Sequence, residues 1–160
     1  MTITIKESKT ADSRTCGDPA TVTKEILAAS SEQHIEDVGK GLEFIKGLLD
    51  DATKWHDFDK LSYLHEFHAD FQTGFEKHDW WDQHKKISRH HLSAEEGVPE
   101  DVDLIDVLEF IVDCVMAGMA RSGSVYDLEL PSGLLDRAFR NTVELLKAEV
   151  VVEKEDSCNE

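Results

Sequence analysis

The sequence contains little cysteine and no long hydrophobic run. Its three cysteines, Cys16, Cys114 and Cys158, are odd in number and far apart. This argues against a disulfide framework and favours a reducing cytoplasm. No apolar run approaches the ~20 residues that cross a bilayer, and residues 1–20 contain no hydrophobic signal segment. We therefore expect a cytoplasmic protein with no membrane partner.

Positive charge is also scarce. The chain has 17 lysines and arginines and 34 aspartates and glutamates, which give a formal net charge of −17. Binding to duplex nucleic acid depends on basic side chains that neutralise phosphates, so duplex nucleic acid is not an expected partner. A small anionic substrate is not excluded, since a bound divalent ion changes the local field. Part of the negative charge lies in an acidic C-terminal tail, residues 150–160, which we expect to be solvated.

The chain has 160 residues, of which 40% are hydrophobic, and this is enough for one domain with its own core. Apolar residues recur at steps of three and four, which predicts helices, whereas Val150–Val152 is too short to build a sheet on. We expect an all-α bundle of about five to seven helices. It covers residues 21–149 and follows a loosely ordered arm, residues 1–20.

The helix boundaries follow from caps and breakers. A short helix is predicted over residues 21–29, and Ser30 with Gln33 has the capping-box spacing that would begin a second, long helix ending near Trp55. Further helices are predicted over residues 61–75, 80–91, 102–122 and 134–146. The helix over 80–91 would present Trp80, His84, Ile87 and His91 on one face.

All eight histidines lie between His34 and His91. Within this stretch His34 precedes the pair His56-Asp57. A neutral imidazole beside a carboxylate is a common ligand set for divalent metals. The clustering therefore predicts a metal site of hydrolytic type.

Asp113 is the only charged residue between Phe110 and Ala120. Burying an ionised carboxylate is costly unless a metal, a cation or hydrogen bonds compensate it. Asp113 is therefore either a metal ligand or a buried acid tied to a neighbouring helix by an arginine or a backbone cap. Asp106, Glu109 and Asp113 also form a stripe on one helix face, and for the first two a solvated surface and a functional role remain equally open.

The order of His34, His56-Asp57 and Asp113 on separate helices resembles the HD-domain metal-dependent phosphohydrolase superfamily. The resemblance spans about residues 31–123, and His56-Asp57-Phe58-Asp59-Lys60 resembles its HD-x-x-K variant. It implies an HD-domain-like helical bundle. It also implies the following metal ligands: His34, His56, Asp57 and Asp113.

The same resemblance implies catalytic roles. Asp57 and Asp113 would act in catalysis as well as in ligation, with Asp113 orienting the attacking water. Lys60, one turn after Asp57, would contact the substrate phosphate or protonate the leaving group. In dinuclear members of the superfamily, extra histidines hold a second metal. His84, with His90 or His91, could do so here.

The alternatives for these three histidines are contact with the substrate phosphate or a structural role. Arg89 closes a basic patch with Lys85 and Lys86, which would either bind a phosphate or form a solvated face. The predicted substrate contacts are therefore Lys60, His84, Arg89, His90 and His91.

The sequence thus predicts a hydrolase for a phosphate ester or anhydride, a nucleotide above all, acting through a metal-bound hydroxide. Its cofactor would be one or two divalent ions, with Mn, Co, Mg, Ni, Fe and Zn all acceptable to these ligands. We expect a small phosphorylated substrate as partner and a homodimer as the assembly. Two alternatives remain: a dinuclear iron oxygenase on the same scaffold, and a non-catalytic regulatory module that binds a nucleotide or metal.

Overall fold

The computed structural model describes residues 2–77 and 79–154. His78, Cys158 and the last residues of the predicted acidic tail, 155–160, lie outside this part of the chain. The elements in chain order are β1 (Ile3–Lys6), α1 (Lys24–Trp55), α2 (Phe58–Ser62), α3 (Leu64–Phe71), α4 (Asp79–Ile87), α5 (Leu104–Ser122), α6 (Leu134–Glu149) and β2 (Val150–Glu153). Helices dominate the described residues, which confirms the all-α class.

Helix α1 is continuous from Lys24 to Trp55, so the predicted helix start at Ser30 is wrong. Ser30 lies inside the helix and is buried. The neighbouring Ser31 donates its hydroxyl to the Leu27 carbonyl at 2.8 Å, which satisfies the side chain without interrupting the helix. No glycine or proline falls near this point to separate two helices.

A small parallel sheet joins the two ends of the described chain, contrary to the expectation that the valines at 150–152 could not form one. Ile3 pairs with Val150 and Lys6 with Glu153. The amide of Gln33 donates to the Lys6 carbonyl at 3.0 Å and so extends the pairing to α1. The predicted arm therefore contains one ordered strand.

Two other predicted helices differ from the structure. The helix expected over residues 61–75 is divided into α2 and α3 at Tyr63, whose ψ angle of 41° departs from helical values. Helix α4 ends at Ile87. His91 therefore does not share a helix face with His84, and it reaches that residue from the loop after α4.

Helix α5 has well-defined ends, close to where the sequence predicts them. The Asp103 carboxylate accepts hydrogen bonds from the backbone N–H groups of Ile105 and Asp106 at 2.7 and 3.1 Å. The Asp106 side chain accepts from the Asp103 N–H at 2.9 Å, completing a reciprocal cap. Gly123 ends the helix with a φ angle of 70°, a left-handed conformation that glycine adopts without strain.

The chain divides into two compact units, one formed by residues up to Leu48 with those from Leu145 onward, the other by Leu49–Glu144. The hydrophobic core of the second unit lies between α5, α6 and the loop before α5. Its buried members are Leu92, Val102, Val107, Phe110, Cys114, Leu134 and Ala138. Within residues 2–77 and 79–154, none of the helices has both the length and the apolar character that a bilayer crossing requires.

Candidate metal centre

The His56-Asp57 pair lies in the turn between α1 and α2. Asp57 has φ 52° and ψ 21°, a left-handed conformation that is uncommon for a residue other than glycine. Such strained positions are concentrated at functional sites. The turn lets α1 end at Trp55 while Lys60 donates its backbone N–H to the Asp57 carbonyl at 3.0 Å.

His84 is fully buried on α4 and is oriented by a second carboxylate. Its Nδ1 donates to Oδ2 of Asp59 at 2.8 Å, and Asp59 is itself only 1% exposed. With Nδ1 acting as the donor, Nε2 presents a lone pair. That nitrogen lies 3.4 Å from Oδ1 of Asp57 and 2.8 Å from Nε2 of His91.

His56 has a matching arrangement on the other side of Asp57. Its Nδ1 donates to Oε1 of Glu109 on α5 at 2.8 Å. Its Nε2 therefore faces Oδ2 of Asp57 at 3.5 Å and Oδ1 of Asp113 at 3.7 Å. A histidine whose far nitrogen is held by a carboxylate is the usual form of a metal ligand, because the carboxylate fixes both the tautomer and the ring orientation.

His90 lies between these two arrangements. Its Nε2 is 3.7 Å from Oδ1 of Asp57, and its Nδ1 is 2.9 Å from Oε1 of Glu109, although neither nitrogen has hydrogen-bond geometry. Its ring packs against that of His56 with centroids 4.6 Å apart. His90 is only 2% exposed, so it is a buried imidazole whose hydrogen-bonding capacity is unused.

Within residues 2–77 and 79–154, the potential ligand atoms form three groups in which all atoms lie within 4.8 Å of one another. The groups are His56 with Asp57 and Asp113, Asp57 with His84 and His91, and His56 with His90 and Glu109. The first contains three of the four ligands that the motif predicts. Asp57 belongs to the first two groups, so its carboxylate lies close to both sets of donor atoms.

Lys60 forms a short ion pair with Oδ2 of Asp57. Burial is the largest influence on the pKa of Asp57 and raises it, but the Lys60 ammonium and the imidazoles of His56 and His90 together lower the pKa below its ordinary value. Glu109 behaves likewise, since burial raises its pKa while His90 and His56 lower it by a larger amount. Both groups therefore favour the ionised form that a cation requires.

The pKa values of the adjacent residues His90 and His91 are shifted in opposite directions. Burial and the neighbouring His90 and His84 lower the pKa of His91 to about 4. Burial also lowers the pKa of His90, but the carboxylates of Glu109, Asp57 and Asp113 outweigh it and raise the pKa overall. His91 is thus neutral at physiological pH, as a metal ligand must be.

A cavity of about 390 Å³ opens beside this cluster. Of its lining residues, His90 is buried and His91 and Asp113 are half-buried, and we call this side the inner end. Tyr126, Asp127 and Glu129, from the loop after α5, are exposed and form the outer end. The volume falls in the range of small-molecule sites. It gives a substrate access to the histidine and carboxylate atoms.

Two predicted site residues are not among these donor groups. His34 is an exposed residue of α1 and belongs to the first unit. Arg89 uses its guanidinium to bind Asp106 through Nε and Nη2, both at 2.8 Å, and Asp101 through Nη1 at 3.0 Å. The metal role of His34 and the substrate role of Arg89 stay predictions.

The sequence alone did not reveal what Asp59 and Glu109 do. Asp59 follows His56-Asp57 by only two residues, and a second acid so close to the pair is the one local signal for a supporting carboxylate. Glu109 lies one helical turn before Asp113, but its contact with His56 depends on the packing of α5 against the turn after α1. Nothing in the local pattern indicates that contact.

Comparison with protein-family models, curated proteins and solved structures gives no match. The resemblance to the HD-domain superfamily therefore depends on the motif residues, and it stays an expectation.

Proposed function

We propose that this chain is a metal-dependent phosphohydrolase acting on a small phosphate ester or anhydride. The observation that carries the proposal is the convergence of two carboxylate-oriented histidines on one carboxylate. His56 and His84 each use Nδ1 on a buried or half-buried acid and turn Nε2 towards Asp57. Packing of a hydrophobic core does not require two histidines that are oriented by carboxylates towards a third carboxylate.

The donor atoms fit a divalent cation. Oδ1 of Asp57 is buried and has no hydrogen-bond partner among the described residues. Nε2 of His84 and Nε2 of His91 lie 2.8 Å apart, so without a metal one of them must carry a proton for the other to accept. Imidazole nitrogen and carboxylate oxygen, with no thiolate, suit a catalytic ion that keeps open positions.

One ion would be held by His56, Asp57 and Asp113. A second ion would be held by Asp57, His84 and His91. A divalent ion at such a site lowers the pKa of a coordinated water and offsets charge on phosphoryl oxygens. Between the two sets, Asp57 would act as the shared ligand.

The chain's own groups supply the remaining chemistry. Lys60, which pairs with Asp57, would donate a hydrogen bond or a proton to an oxygen of the phosphoryl group. Asp113 lines the cavity and would orient the attacking water. His91, neutral at physiological pH, leaves its lone pair free for ligation. Nucleotides are the first substrates to test, as expected from the superfamily.

The test measures phosphate and pyrophosphate release from the whole chain after chelation and reloading with Mn²⁺, Co²⁺, Mg²⁺, Ni²⁺, Fe²⁺ or Zn²⁺. Substrates are nucleoside mono-, di- and triphosphates and simple phosphate monoesters. We expect metal-dependent release that Asp57→Ala reduces by at least about 1,000-fold, equivalent to ~4 kcal/mol of transition-state stabilisation.

The matched control is Asp50→Ala, which removes an exposed carboxylate from α1 near the turn. It should retain the activity of the parent chain. Equal activity in Asp57→Ala and Asp50→Ala would overturn the proposal. Oxygen consumption by an iron-loaded sample, without phosphate release, would assign the site to oxygenase chemistry instead.

A further inference from the structure

The cavity beside the metal centre has an unusual balance of charge. Asp113, Asp127 and Glu129 line it, and no lysine or arginine does so among the described residues. Asp127 and Glu129 are exposed and have no ion-pair partner within residues 2–77 and 79–154. A site for phosphorylated substrates would be expected to contain cations, so the acidic lining requires an explanation.

The inner end of the cavity adjoins the donor groups around Asp57. His90 lies there, almost fully buried, with Nε2 unpartnered among the described residues. His91 lies beside it, with its Nε2 2.8 Å from Nε2 of His84. Lys60 pairs with Asp57, whose Oδ1 lies 3.7 Å from Nε2 of His90. Among the described residues, the positive charge that the site can offer a phosphate at this end therefore comes from Lys60, together with any bound metal.

The outer end has the opposite character. Tyr126 donates its hydroxyl to Sγ of Cys114 at 3.6 Å, which places its ring at the cavity wall. Arg121 is close enough to affect the pKa of Tyr126 but does not line the cavity. A cation would meet a tyrosine ring and the carboxylates of Asp127 and Glu129, an environment that attracts ammonium groups.

We propose that the substrate is a phosphate monoester whose alcohol carries a positively charged amine. The phosphate would lie at the inner end, by His90 and the metal that Asp57 would help to hold, and the ammonium at the outer end, by Asp127 and Glu129. A second or third phosphate at the outer end would be repelled, which disfavours nucleoside di- and triphosphates. This inference rests on the proposed phosphohydrolase function and names the substrate class for it.

The reaction is a hydrolysis and needs no further reactant. The water oxygen forms a bond to phosphorus, and the bond between phosphorus and the ester oxygen breaks. The ester oxygen takes up one proton and leaves as the amino alcohol. Inorganic phosphate carries the oxygen of the water. The amine keeps its proton throughout, so its charge is available for binding in both substrate and product.

The test uses three esters of similar size that differ in the charge of the tail. O-Phosphoethanolamine ends in an ammonium group, propyl phosphate in a methyl group, and phosphoglycolate in a carboxylate. On the metal-loaded chain we expect kcat/KM to fall in that order. Each step should be roughly 10-fold, the effect of one charge-assisted hydrogen bond or its loss.

The double variant Asp127→Asn/Glu129→Gln should reduce the ratio of kcat/KM for phosphoethanolamine to that for propyl phosphate by roughly 10-fold or more. The ratio cancels any general loss of active protein. The matched control, Glu76→Gln/Glu96→Gln, makes the same change in net charge at exposed residues outside the cavity. It should leave the ratio unchanged.

The outcomes separate the two proposals. Equal turnover of the three esters, or the best turnover for phosphoglycolate, would overturn the substrate class and leave the phosphohydrolase standing. If the ratio falls equally in the control variant, the preference comes from net charge, and the proposed role of the cavity carboxylates in binding the ammonium group is overturned. Metal binding without turnover of any phosphate compound would overturn both.

Discussion

The two faces of helix α5 lie in different surroundings, one apolar and one lined with charged side chains. On one face, Val107, Phe110 and Cys114 are buried in the core of the second unit. On the other, Glu109 and Asp113 belong to the donor groups around Asp57. The apolar face stabilises the fold by burial, at about 25 cal/mol per Å². The acidic face gains nothing by burial, so each carboxylate requires a partner.

The partners on the acidic face are of two kinds. Asp106 is held by Arg89 through two hydrogen bonds of 2.8 Å, a permanent partner within the chain. Burial raises the pKa of Asp106 more than Arg89 lowers it, while Asp106 raises the pKa of Arg89. The two-bond geometry indicates an ion pair in spite of that net shift. For Asp113, the one ion contact within residues 2–77 and 79–154 is with Nε2 of His56 at 3.7 Å, which leaves room for a metal.

The largest expected effect on stability comes from the apolar region. Leu134→Ala should reduce the free energy of unfolding by about 2–5 kcal/mol, because Leu134 is 1% exposed in the core. Urea denaturation of the metal-free chain measures this. The neighbouring Leu135, 56% exposed, is the control, and Leu135→Ala should change stability by no more than about 0.5 kcal/mol. An equal loss in both variants would contradict the assignment of this core.

The next effect belongs to the metal centre alone. Manganese at 100 times its dissociation constant should raise the free energy of unfolding by about 2.7 kcal/mol, because only the folded chain presents the assembled ligands. A thermal or urea melt with and without chelator checks this. Leu134→Ala should keep the increment, whereas Asp57→Ala should lose it. An increment in Asp57→Ala as large as in the parent would place the metal elsewhere.

A smaller change should follow from the carboxylate behind His84. Asp59→Asn keeps the hydrogen-bond acceptor for Nδ1 but removes the charge, and metal affinity should fall by roughly 10- to 100-fold. Isothermal titration with Mn²⁺ or Zn²⁺ gives the affinity. Asp70→Asn is the matched control, since Asp70 is also buried but accepts from the Trp81 backbone N–H instead. Unchanged affinity in Asp59→Asn would leave Asp59 with a packing role.

The smallest effect concerns protonation of the metal-free chain. NMR titration should show His91 neutral down to about pH 4 and His90 protonated above its ordinary pKa of 6.5. The stabilising contribution of His91 is present above pH 6.5 and is lost as the pH falls towards 4. That of His90 is present below pH 6.5 and is lost as the pH rises through the raised pKa. Identical titration of both rings would contradict the difference in their surroundings.

The sequence predicts the fold around the apolar core better than it predicts the contacts of the candidate metal centre. The helical class and the approximate ends of α5 follow from local patterns: an apolar repeat that begins at Val102, and Gly123 just after the last turn, whereas the cap formed by Asp103 is recognised from the structure. The parallel pairing of β1 with β2 does not, because it joins segments from opposite ends of the chain, and neither segment predicts a partner by itself. The predicted helix start at Ser30 was wrong because the capping-box spacing of Ser30 and Gln33 also occurs in the interior of a continuous helix.

For the candidate centre, the sequence identified residue types and not the contacts between them. The ligand atoms of His56, Asp57 and Asp113 do lie together, and so do those of His84 and His91. The supporting acids Asp59 and Glu109 are recognised only from the structure. Whether a carboxylate faces solvent or an imidazole depends on the left-handed turn at Asp57 and on packing across many residues, which no local spacing encodes.

The ring of Trp80 stacks on that of His84, with centroids 4.7 Å apart and an angle of 12° between the planes. Trp81 lies 5.3 Å from the same imidazole. Indole emission is quenched by nearby paramagnetic ions such as Mn²⁺ or Co²⁺. Binding of such an ion at His84 would therefore lower the tryptophan fluorescence of the chain. The decrease would report occupancy of the candidate centre without a dye, a label or a substrate.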